Sequence, residues 1–128
     1  MKLTLTRIAA LGFISFFLII IGIADRGEGY QWWAFIGRIP YGDKVGHLGL
    51  VATLALLCNL AFPPRPATRW TRFITLTTLV LLVLLSLEEL AQTFIPTRTC
   101  DVFDWLADLA GLALGQASAS LLRRRTWR

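Results

Sequence analysis

Apolar and polar residues alternate along this chain in long blocks. Ile8 to Ala24 runs without a charge. A second apolar run follows Asp43 and Lys44 and lasts to Phe62, a third covers Phe73 to Phe94, and a fourth follows Asp101 to Leu122. Each block is about 20 residues, and at about 1.5 Å per residue a helix of that length crosses the roughly 30 Å hydrocarbon core of a bilayer. The pattern predicts an all-α chain: a single-domain membrane four-helix bundle with short loops, its spans at about 8–24, 44–62, 73–94 and 102–122. A secretory signal peptide opens in the same way, and Gly22-Ile23-Ala24 offers small residues for cleavage. The apolar run is longer than a usual signal region, which favours a retained span.

The stretches between the blocks carry breakers and anchors. Pro63, Pro64 and Pro66 end the second span and Pro96 the third, because proline lacks an N–H and blocks the preceding turn. Asp43 is placed to cap the second helix. The stretch from Asp25 to Gly42 holds Tyr30, Trp32, Trp33, Phe35 and Tyr41, and Trp70 lies in the next loop. Such rings suit the headgroup level, which predicts a surface-lying segment with a short interfacial helix.

Composition agrees with a membrane protein. Hydrophobic residues make up 55% of the 128, above the share of a soluble domain. The formal charge of +5 is an orientation signal, because the basic residues flank apolar runs. Nine of them (Lys2, Arg7, Arg65, Arg69, Arg72, Arg123, Arg124, Arg125 and Arg128) fall on one side of the predicted bundle, and Arg26, Arg38, Lys44 and Arg98 on the other. The positive-inside rule then puts both termini in the cytoplasm. All eight acids map to the opposite, outer half. Zinc-finger spacing, a glycine-rich phosphate loop and a basic zipper are absent, so no nucleic-acid partner is expected. Cys58 and Cys100 fall near opposite faces and are expected as free thiols.

The chemistry is concentrated from Glu88 to Gly115. Charges within spans are costly, about 2.5–3.5 kcal/mol each on insertion scales, so several together call for a use. Asp101, Asp104, Asp108, Gly111 and Gly115 are spaced three, four, three and four, which is one helical stripe. Its glycine half, Gly111-x-x-x-Gly115, suits close helix approach, so the acidic half faces protein too. Glu88 and Glu89 stand one turn before Gln92, and only one of two adjacent residues can face the fourth span. Asp43, Lys44 and His47 come to the same outer end.

The candidate polar site is therefore Asp43, Lys44, His47, Glu89, Gln92, Arg98, Asp101, Asp104 and Asp108, with Gly111 and Gly115 for helix packing. Lys44 and Arg98 suit pairing with carboxylates, and His47 suits proton transfer or ligation. Oxygen and nitrogen donors of this kind can hold a divalent cation, yet no ligand spacing assigns a metal or a cofactor. The alternative is a polar network that only pins the helices. Ser86 and Cys100 have no evident base partner, and neither a nucleophile elbow nor a zinc-protease motif occurs. The inner halves offer only small groups such as Thr75, Ser118 and Ser120, too few for a cation path.

Asp43-Lys44-x-x-His47, Glu89-x-x-Gln92, Pro96-x-Arg98-x-x-Asp101-x-x-Asp104 and Gly111-x-x-x-Gly115 together resemble the VanZ-like family of small bacterial membrane proteins. The resemblance runs from about Asp43 to Gly115. Asp108 stands where the family usually has Asn, and Val51 where it often has Tyr. The resemblance implies a multi-pass protein of the bacterial cytoplasmic membrane, whose family namesake is associated with low-level resistance to teicoplanin. The expected function is recognition or processing of a cell-envelope component at the outer face, with the bilayer and a lipid-linked or peptidoglycan-related ligand as partners. The competing expectation is a non-enzymatic scaffold. Whether the chain is an enzyme is left open by its residues.

Overall fold

Four long helices form: α1 (Lys2–Asp25), α2 (Gly42–Ala61), α3 (Leu76–Ala91) and α4 (Val102–Thr126), with short 3-10 turns at Ile36–Arg38 and Gln92–Phe94. The structure is a computed structural model that describes residues 2–28, 31, 34–64 and 73–126, and these contain no strand. Three helical segments, Leu3–Asp25, Gly42–Ala61 and Leu76–Phe94, are long and apolar enough to cross a membrane. The fourth, α4, has comparable length but carries Asp104, Asp108 and the basic residues from Arg123 on. Of the expected surface segment, the described residues show a helical Gln31 and the Ile36–Arg38 turn. Tyr30, Trp32, Trp33, Arg65, Pro66, Arg69, Trp70, Arg72 and Arg128 lie outside the described residues.

Helix ends depart from the sequence expectation in ways their caps explain. The second helix is entered from Tyr41, which has φ 59° and ψ 20°, so Asp43 sits inside the first turn and does not cap it. Gly42 is required there, since a Cβ would run into the Ile36 carbonyl oxygen. Thr75, not Phe73, opens α3, and its hydroxyl accepts from Thr78 N at 3.1 Å. Asp101 caps α4 by accepting from Phe103 N at 2.9 Å. After Asp25 the chain turns through Gly27 (φ +68°), with Glu28 N bonded to Ile23 O and Gly27 N to Ala24 O. That is the Schellman arrangement, which uses a left-handed glycine to satisfy the last carbonyls.

The central contact is α2 against α4, with α1 resting on α2, and α3 on both α4 and α2. Small residues allow it. A Cβ at Gly111 would lie 2.8 Å from Leu48 O, and one at Gly115 would run into Ala52 O, so both glycines meet α2 backbone. Val51, Ala55, Leu85 and Leu112 form the buried core, with Phe17 packed on it. Much of α1, including Leu5, Ile8, Leu18 and Ile19, is exposed, as a lipid-facing surface would be.

Hydrogen bonds fix which ends lie together. Arg7 Nε donates to Ala61 O at 3.5 Å, and Arg123 Nη1 to Asn59 O at 2.7 Å. The start of α1 and the end of α4 therefore share one end of the bundle with the α2–α3 connection. A buried network closes that end: Asn59 Nδ2 donates to Thr78 Oγ1 at 2.9 Å, Thr75 Oγ1 to Asn59 Oδ1 at 2.5 Å, and Thr75 N to Gln116 Oε1 at 3.0 Å. This corrects the expectation that the inner halves offer only small polar groups. The network joins α2, α3 and α4 through amide side chains from different helices.

Candidate functional site: a carboxylate hub and a charged cleft

The opposite end of the bundle holds two charged neighbourhoods. The first is centred on Lys44, in the first turn of α2. Its ammonium lies 2.6 Å from Asp43 Oδ2, 2.7 Å from Asp101 Oδ2 and 2.9 Å from Asp104 Oδ1. Asp104 Oδ1 is buried, has no well-aligned hydrogen bond and is held by that ammonium. One turn along α2, His47 Nδ1 lies 3.0 Å from the buried Asp108 Oδ1, and Nε2 3.9 Å from Asp104 Oδ2. Glu89 is 4% exposed, and its Oε1 accepts from Asp101 N at 2.8 Å. It thus holds the start of α4, while its Oε2 has no hydrogen-bond partner among the described residues.

This hub spends its charges internally. Carboxylate oxygens of Asp43, Asp101 and Asp104 lie within 4.8 Å of one another, a grouping suited to a cation. The Lys44 ammonium takes that place. Asp101 lies just ahead of α4, and the Lys44 ammonium, helped by Phe103 N–H, holds its carboxyl below the usual carboxylate range. The Cys100 thiol is pushed up by partial desolvation and by the carboxylates of Glu89 and Asp101. A thiol held protonated is a poor nucleophile. Cys58 is buried, and both cysteines are free.

The second neighbourhood is centred on Arg98, in the α3–α4 turn. Its nearest carboxylates are Asp25 Oδ1 at 3.4 Å and Glu88 Oε1 at 3.9 Å, long beside the 2.7–2.9 Å typical of a charge-assisted bond. Gln92 is buried, and its Nε2 donates to both oxygens of Glu88 at 3.0 Å. Thr97 Oγ1 donates to Asp25 O at 2.6 Å, pinning the end of α1 to the turn. A Cβ at Gly27 would meet Thr97 Cγ2 at 2.9 Å, so this contact is also close-packed.

Between these features lies a cleft of about 790 Å³, within the range of small-molecule sites. Its apolar wall includes Phe17, Ile20 and Ile21 of α1, Leu50 and Val51 of α2, and Leu85 of α3. Its polar lining includes Glu28, Arg38, Asp43, His47, Glu88, Arg98 and Asp108. Sequence spacing alone points to a pocket among the second, third and fourth spans. The structure adds α1 and the stretch at 34–38 as walls. It separates Lys44, Asp101 and Asp104, which make the hub, from Arg98 and Glu88, which line the cleft; Asp43, His47 and Asp108 touch both. Asp25, Glu28 and Arg38 belong to no motif in the sequence. Their only signal is position, near the end of the first span on the acidic side.

No protein-family model matches the chain, and no curated protein or solved structure matches it significantly.

Proposed function

We propose that this chain is a VanZ-like, four-span protein of the bacterial cytoplasmic membrane, with both termini cytoplasmic. In this reading it recognises or processes a cell-envelope component at the outer face, with a link to teicoplanin susceptibility. The observation that carries the reading is the cleft, an apolar chamber with charged side chains of both signs at one end of a bundle with three membrane-grade helices. The excess of basic residues toward the α2–α3 connection and the two chain ends supports the orientation. The motif combination from Asp43 to Gly115 supports the family assignment. Binding alone satisfies what the cleft offers, since Lys44 already engages the carboxylates of Asp43, Asp101 and Asp104 and no activated nucleophile lines the cleft among the described residues.

That same engagement favours a second reading, a non-enzymatic scaffold whose acids serve packing. Gly46 separates the two. It lines the cleft, and a Cβ there would meet nothing within 4 Å. Gly46→Leu fills the cleft mouth and replaces a poor helix former by a good one, a change of about 0.8–1 kcal/mol in favour of the helix. The ligand-binding reading expects Gly46→Leu to abolish the protein's effect on teicoplanin susceptibility in a bacterial host while membrane levels stay normal. An undiminished effect would leave the scaffold reading standing.

A further inference from the structure

The charges around the cleft are not matched to each other, and that mismatch describes a ligand. Arg98 reaches its carboxylates only at 3.4 and 3.9 Å. Arg38 and Glu28 line the cleft and make no ion pair among the described residues. The rim thus offers guanidinium groups on one hand and carboxylates on the other, none consumed as Lys44 is. Below the rim the wall is aliphatic and aromatic, built by Phe17, Ile20 and Leu85 among others. The helices α1 and α3 both rest on α2 but make no comparable contact with one another, so the cleft lies between them.

Resting on the membrane reading above, we infer that the cleft binds a zwitterionic amphiphile, one bearing an anionic phosphate and a primary amine on an acyl chain. The chain lies along the apolar wall between α1 and α3. Arg98, with Arg38, takes the phosphate oxygens, because a planar guanidinium offers paired N–H donors suited to them. The ammonium goes to Glu28 and Glu88, each of which gains a full positive partner that no protein group supplies at bonding distance. An anionic lipid without an amine would leave those carboxylates facing a like charge, and an uncharged one would strip water from the rim without replacing its hydrogen bonds.

The purified full chain, in an uncharged detergent, is titrated with lysophosphatidylethanolamine, lysophosphatidylglycerol and monoacylglycerol of one chain length, reading binding by thermal shift. Lysophosphatidylethanolamine is expected to bind at least about tenfold tighter than either other probe, the size of one well-placed charged contact. Arg98→Gln should weaken both phospholipid probes about tenfold and leave monoacylglycerol unchanged. Glu28→Gln with Glu88→Gln should erase the advantage of the amine. Equal binding of all three probes, or tightest binding of the glycerol lipid, overturns the headgroup inference while the amphiphile cleft stands. No binding by any probe overturns the cleft reading as well. The wild-type ranking decides the matter even if a variant fails to fold.

Discussion

Lys44 and Arg98 are both cations at the acidic end of the bundle, and their surroundings differ sharply. Lys44 has three carboxylate oxygens within 2.9 Å, drawn from α2 and from the start of α4. Arg98 has none closer than 3.4 Å and faces a cleft. The first arrangement offsets the cost of crowding acids at two helix ends, and it ties those helices together. The second leaves a guanidinium and neighbouring carboxylates only loosely paired, so that a ligand can complete them. A crowd of ionisable groups in a membrane protein therefore need not be one site. Distance to a partner separates the part that holds the fold from the part that can meet a ligand.

That separation can be broken at several points. The strongest test is at Gly115, where a Cβ would run into Ala52 O and the Ala55 side chain. Gly115→Val should push α4 off α2 and cost about 3 kcal/mol or more, the upper end for overpacking. The loss would appear as a lowered thermal midpoint in detergent. An unchanged midpoint would mean that the hub does not depend on the α2–α4 approach. Asp108 comes next, because it belongs to both neighbourhoods. Asp108→Asn keeps the shape but weakens the bond to His47, at an expected cost of about 1–3 kcal/mol. A neutral result would move Asp108 from the hub to the cleft. The smallest effect is that of pH. The Asp101 carboxyl is held below its usual value by Lys44, so its contribution is complete at neutral pH. It fades as pH falls through the ordinary carboxylate value toward the lowered one, and is gone below both. Melts between pH 7 and pH 3 should show a loss on the acid side that is smaller in a Lys44→Gln background. An identical acid profile in that background would remove Lys44 as the cause.

The four helices were legible because uninterrupted apolar runs of span length have few other uses. Their ends were less so. The charged Arg7 did not mark the start of α1, which begins at Lys2; a long basic side chain can reach interfacial water from inside a helix. Asp43 resembled a cap but lies within the first turn, because Tyr41 adopts a left-handed conformation that no sequence rule assigns to tyrosine. The stripe from Asp101 to Gly115 could be drawn from spacing alone, since a period of three and four admits one face. Which cation met which acid could not. Lys44 and Arg98 looked equivalent in sequence, and only the approach of α1 brought Asp25 to Arg98. The Asn59–Thr75–Gln116 network escaped for a related reason: its members are single polar residues on or beside three helices, and they meet only once the helices are packed.

The hub around Lys44 holds the fold, and the cleft rim around Arg98 is left available. Thermal melts of Lys44→Gln and Arg98→Gln, purified side by side with the native chain, test this most directly. The expected result is that Lys44→Gln still folds but its midpoint falls clearly further than that of Arg98→Gln, which melts within about 4 °C of the native chain, as a pair worth no more than about 1 kcal/mol requires. Equal and large losses from both substitutions would contradict it, since the fold would then depend on Arg98 as heavily as on Lys44.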